Sequence, residues 1–178
     1  MRKNVTFVFL WAFLTIAILA SCGGNDMLSK KTKTFLKLFE KVNLDDVKLT
    51  IYYINPNILT RAPLNIDTLI NYSDVQTIIV DNNRLKENID LIEWIKMNAF
   101  VPVKKKSYLD ARLCYVFETD KDGIILTVAM GGRNNSVFIN GFEMEDNEVF
   151  YNVIKPFLTE NAANELKIYF NREKTTVY

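Results

Sequence analysis

Apolar residues recur along this chain with more than one period, and the changes of period mark out its elements. Across residues 5–20 the run is apolar almost without a break, interrupted only by Thr6 and Thr15. From Ser29 the spacing becomes helical. Phe35, Leu38, Phe39 and Val42 fall on one face and Lys30, Lys33, Lys37 and Lys41 on another, which predicts a helix over 29–42 with Ser29 as its cap. Over 47–54 the period drops to two: Leu49, Ile51 and Tyr53 alternate with Lys48, Thr50 and Tyr52, a strand closed by the turn Asn55-Pro56-Asn57.

A short helix over 65–72 carries Ile66, Leu69 and Ile70, and a buried strand over 75–80 lies between Asp74 and Asp81. Strand, helix and strand in succession suggest a crossover, right-handed if the two strands are parallel neighbours. Asp81-Asn82-Asn83 supplies caps for a helix over 84–97 bearing Leu85, Ile89, Ile92 and Ile95. Beyond Pro102 the pattern alternates again. The turns Asp120-Lys121-Asp122-Gly123 and Gly132-Arg133-Asn134-Asn135 separate runs at 111–119, 124–131 and 136–142, which predicts an antiparallel meander led in by residues 101–105. Asp146 or Asn147 caps a helix bearing Phe150, Val153, Ile154 and Phe157; Pro156 breaks it, and Thr159 restarts a helix to about Asn171. The expected class is α+β: an N-terminal helix, a strand-helix-strand-helix portion, a meander, and two C-terminal helices over one sheet face. No internal repeat, low-complexity stretch or interdomain linker interrupts it.

The first apolar run has its own meaning. Arg2 and Lys3 precede it, no acidic residue occurs before Asp26, and it ends at Leu19-Ala20-Ser21-Cys22 followed by Gly23-Gly24. It is shorter than the roughly 20 apolar residues that span a bilayer, with no basic cluster just beyond it. The four residues in this setting resemble the lipobox of bacterial lipoproteins. The resemblance covers only the signal and lipobox. It implies cleavage before Cys22, a diacylglycerol on the Cys22 thiol and acylation of the new amine. Two or more chains are what a stable anchor requires. It further implies residues 1–21 as signal peptide, 22–28 as lipidated tether and 29–178 as one domain. The expected address is the bacterial cell envelope; Gly23, in place of the Asp that favours inner-membrane retention, leans toward the outer membrane. Beside such an anchor, Lys30, Lys33, Lys37 and Lys41 either touch anionic headgroups, at about 1 kcal/mol each, or form an ordinary solvated face.

Loss of Arg2 and Lys3 reduces 22 basic residues to 20 against 21 acidic ones, a formal net charge of −1 for the mature chain. Near-neutrality implies no nucleic-acid partner. With Cys22 acylated, Cys114 is the other cysteine, so no intramolecular disulfide forms; it sits in a strand pattern and is expected to be buried and inert. The absence of histidine removes Ser-His-Asp and Cys-His catalysis and histidine metal sites. Glu143, Glu145, Asp146 and Glu148 cluster, without EF-hand spacing, where a helix begins, and are expected to serve its N-terminus rather than a metal. Lys104-Lys105-Lys106-Ser107 raises a Ser-Lys pair, but three adjacent lysines suit an exposed strand end. Gly131-Gly132-Arg133 lacks the Walker spacing and is expected to be a hairpin turn. Tyr52, set opposite the core side of its strand, is the aromatic marked as a recognition residue. No cofactor is implied. The leading expectation is an envelope lipoprotein whose domain binds another protein or a small envelope component. The rivals are a hydrolase using carboxylates such as Asp81 or Glu143, and an immunity or inhibitor lipoprotein.

Overall fold

The alternation over 47–54 produces a strand because its apolar members fall on one side. In the computed structural model, which describes residues 46–93, 95, 100–103, 107–132 and 136–170, β1 (Val47–Tyr53) buries Val47, Leu49, Ile51 and Tyr53 and turns Lys48, Thr50 and Tyr52 to the other face. The helix predicted over 29–42 lies outside the described residues. Five further strands join β1: β2 (Gln76–Val80), β3 (Ala111–Thr119), β4 (Gly123–Gly131), β5 (Val137–Ile139) and β6 (Phe142–Met144). The order across the sheet is β2-β1-β3-β4-β5-β6, antiparallel throughout, with helices added: an α+β fold.

The suggested crossover is corrected by the pairing of β1 with β2. Leu49 faces Val80 and Tyr53 faces Gln76, so the strands are antiparallel and no crossover hand arises. The expected burial of this strand is corrected too: β2 is an edge strand with Val80 alone buried, since β1 is its one neighbour among the described residues. The physical reason lies in the connection, which contains α1 (Ile66–Ile70). Leu64 is held where β1 leaves the sheet, its N–H donating to Asp110 Oδ1 at 3.0 Å and its carbonyl accepting from Ala111 N at 2.8 Å. The chain therefore re-enters the sheet from the end at which it left.

Of the helix expected over 84–97, the described part is two short ones, α2 (Asn82–Glu87) and α3 (Ile89–Glu93); residues 94, 96 and 97 lie outside the described residues. Asp81 caps the first, Oδ1 accepting from Asn83 N at 2.9 Å, and Asn88 ends it by donating its Nδ2 to Arg84 O at 2.8 Å. The meander is present, but its third run folds back on itself. Asn140 (φ 49°) and Gly141 (φ 83°) make a tight turn between β5 and β6. The lead-in segment pairs with the last strand rather than the first: Val103 N donates to Glu143 O at 3.2 Å and Glu145 N to Val101 O at 2.7 Å.

The closing region is likewise more broken than two helices: α4 (Val149–Asn152), a 3-10 turn at Lys155–Phe157 containing Pro156, α5 (Glu160–Glu165) capped by Thr159, and α6 (Lys167–Phe170). They lie with α2 and α3 over one face of the sheet. Leu85, Ile92, Phe150, Ile154, Phe157 and Leu166 are buried there against Ile51, Tyr115, Phe117 and Val128. Tyr115 Oη donates to Phe150 O at 3.0 Å and Tyr169 Oη to Gly131 O at 3.3 Å, so the helices are keyed to the sheet as well as packed on it. The second face carries a smaller core under the 54–75 connection: Ile54, Leu64, Leu69, Cys114, Val116 and Ala129. Covered on both faces, β3 is buried at every position except Glu118.

Candidate functional site

Three features of the second face place buried or half-buried polar side chains together. The first is a clasp where β1 gives way to its long connection. Arg112 sits near the start of β3, 5% exposed, and its Nη2 donates to Asp110 Oδ2 at 2.8 Å and to Thr60 Oγ1 at 3.0 Å. Asp110 is shared: its other carboxylate oxygen takes the Leu64 N–H, and its carbonyl takes Gly132 N at 3.2 Å. Gly132 lies so close that a Cβ there would stand 2.7 Å from Arg112 Cγ. Arg112 Nη1 is buried without a hydrogen-bond partner, a state that Asn140 Nδ2 shares. One ion pair thus ties the 55–65 segment, the 110–112 corner and the 131–132 hairpin together. The strand pattern had placed Arg112 without a role; a lone arginine on an otherwise apolar buried strand is the signal that could have found it.

The second feature joins two motifs that the sequence kept apart. Glu143, on β6, is 8% exposed, and its carboxylate accepts both the N–H of Ser107 and the Ser107 hydroxyl, the latter at 2.5 Å. This corrects the expectation that Glu143 serves a helix N-terminus. It faces away from that helix because β6 continues through Met144, which postpones the helix to Val149. Glu148 occupies the cap position without a side-chain bond; Asn147, just before it, accepts from Val149 N at 3.0 Å through Oδ1, while Asp146 Oδ1 accepts from Tyr151 Oη at 2.9 Å. Lys104, Lys105 and Lys106 lie outside the described residues.

The third feature is Tyr52. It stands on the second face, half-buried, between Thr77 of β2 and Cys114 of β3, at the margin of the smaller core. Burial pushes its phenol above the ordinary range, Glu118 and then Cys114 add to this, and a hydrogen bond with Thr50 opposes it. Cys114 is fully buried and burial pushes its thiol up to about 12, so it is a packed apolar side chain at neutral pH.

Asp81 and Glu143, named as hydrolytic carboxylates, belong to opposite edges of the sheet. Asp81 follows β2 and Glu143 lies on β6, five strand spacings away, or about 24 Å. They do not converge. Among the described residues no three of the Asp, Glu and Cys side chains gather to hold a metal ion, and no helix is long and apolar enough to cross a membrane. Cys22, Lys30, Lys33, Lys37 and Lys41 lie outside the described residues. Compared with protein-family models, with curated proteins and with solved structures, the chain matches none.

Proposed function

We propose that this chain is a lipid-anchored protein of the bacterial cell envelope whose α+β domain acts by binding a protein partner and not by catalysis. The observation that carries the anchor is Leu19-Ala20-Ser21-Cys22 at the end of an apolar run preceded by Arg2 and Lys3. Cys22 bears the lipid, and in a Gram-negative envelope Gly23, in place of a retention Asp, favours the outer membrane over the inner. The described fold supports the binding half in one respect. The Arg112–Asp110–Thr60 clasp and the Ser107–Glu143 pair hold loops in place, and Asp81 and Glu143, the carboxylates named for a hydrolase, stand on opposite edges. Mass spectrometry of the chain from membranes should give an N-terminus at Cys22 carrying acyl groups, and Cys22→Ala should release the domain from the membrane. A chain that stays membrane-bound after that substitution overturns the anchor. Purified with its envelope, the chain should hold one protein in stoichiometric amount; turnover of a substrate by the isolated chain would overturn the binding role.

A further inference from the structure

The two long edges of the sheet are treated differently. On the β6 edge, residues 101–103 lie against Glu143 and Glu145 and take up the outward backbone groups. On the β2 edge no strand follows among the described residues, and β2 is the last in their order. The hydrogen-bond phase shows what β2 offers. Ile54 N donates to Arg112 O at 3.0 Å, so Lys48, Thr50 and Tyr52 share their backbone groups with β3, and Leu49, Ile51 and Tyr53 share theirs with β2. Gln76, Ile78 and Val80 answer β1. Thr77 and Ile79 are left with N–H and C=O pointing outward, and their side chains stand exposed on the second face, Ile79 at 77%.

Natural edges are usually blunted by lysine, proline or a bulge. The strand Gln-Thr-Ile-Ile-Val has none of these, and its register against β1 is unbroken. Its protections are shortness and one exposed acid beyond each end, Asp74 and Asp81. Those acids choose the occupant. If a second copy paired antiparallel about Ile78, Asp74 would lie opposite Asn82 of the other chain, one residue from its Asp81, and the same juxtaposition would recur at the other end. Like charges so placed oppose self-pairing, whereas basic residues at both ends of an incoming strand would be attracted.

We propose that the outer edge of β2 receives, by strand addition, an extended segment of a partner protein that is β-branched in its middle and basic at its ends. This deepens the binding function proposed above and rests on it. Up to four backbone hydrogen bonds, two each from Thr77 and Ile79, would hold the segment, with Ile79 supplying side-chain contact on the second face.

The test uses the full chain in detergent micelles and two acetylated, amidated hexapeptides, Lys-Thr-Val-Thr-Val-Lys and its analogue with glutamate at both ends. With the basic peptide, the amides of Thr77 and Ile79 should gain about tenfold or more protection from hydrogen exchange, while Gln76 and Ile78, already bonded to β1, change little. The acidic peptide should bind about tenfold more weakly, and Asp74→Asn with Asp81→Asn should narrow that gap, since asparagine keeps the α2 cap. Thr77→Pro should abolish binding without unfolding the sheet, because proline is tolerated where a strand N–H faces solvent; far-ultraviolet circular dichroism checks the fold. Unchanged protection at Thr77 and Ile79, equal binding of both peptides, or a dimer of the chain protecting these same amides would each overturn the proposal. If the peptides fail while an envelope protein still co-purifies stoichiometrically, the edge is wrong and the binding role stands; if both fail, both are wrong.

Discussion

Removal of the Asp110 carboxylate should destabilise the domain far more than removal of the arginine it holds. In the folded chain the Arg112 side chain is 6% exposed and the Asp110 side chain 26% exposed, and they meet at 2.8 Å. Asp110→Ala leaves a buried guanidinium with Thr60 as its remaining hydrogen-bond partner, one nitrogen being unpartnered already. Breaking a buried pair from one side costs about 3–5 kcal/mol, and the lower end applies because Asp110 is partly hydrated. The Leu64 N–H loses its acceptor as well, worth about 1 kcal/mol. The sum is about 4 kcal/mol, a large share of the roughly 5–15 kcal/mol that holds a domain together. Arg112→Met leaves the Asp110 carboxylate without its cation, but that side chain is 26% exposed, so water replaces part of the pair and the Leu64 bond remains, for a cost of about 1–2 kcal/mol. Adding Arg112→Met to Asp110→Ala should then recover about 2 kcal/mol, because no charge is stranded. Urea unfolding followed by tryptophan fluorescence measures all three. If Asp110→Ala proves no more costly than Arg112→Met, the clasp does not hold the 55–65 segment as described.

Further outcomes follow from single contacts. Tyr115→Phe should cost about 1–2 kcal/mol in urea, since the buried Phe150 carbonyl loses the donor that reaches it at 3.0 Å. Gly141→Ala should cost about 1 kcal/mol through its φ of 83°, with no steric part because nothing lies within 4 Å of the added carbon; Gly141→Asn should cost less. The Cys114 thiol should resist a disulfide reagent at pH 8 in the folded chain and react at once in urea; rapid labelling under native conditions would contradict its burial. Folding raises that thiol from 9.0 to about 12 and raises the Tyr115 phenol well above 10.0, chiefly by burial. A raised folded value favours the neutral form, so these contributions are complete below pH 9 and are lost as pH climbs beyond it. The urea midpoint should fall above pH 9, less steeply in Cys114→Ala.

The structure bears out those readings that rest on local chemistry. β1, α1, the Asp81 cap, the Thr159 cap and the β3–β4 hairpin fall where alternation, capping residues and turn residues place them, because each is decided within a few residues; β2 falls in its expected place but at the sheet's edge, with only Val80 buried, because burial depends on which strands become neighbours. One further local signal was available and missed: Asn140-Gly141 between apolar residues is a hairpin dipeptide, and it divides the last run into β5 and β6. The helix over 84–97 failed for a reason of similar range, as Asn88 competes for the helix backbone through its own side chain.

What the chain alone determines is thus the nature of its strands and caps, since short-range periodicity needs no partner; its address is a proposal drawn from the resemblance at Cys22. Tertiary structure decides which strands become neighbours. Pairing depends on contacts between residues far apart, and no period along the chain records them. Only the fold brings Ser107 to Glu143 and Arg112 to Thr60, sets Asp81 and Glu143 on opposite edges, and covers one edge of the sheet with residues 101–103 while, among the described residues, leaving Thr77 and Ile79 of β2 open at the other.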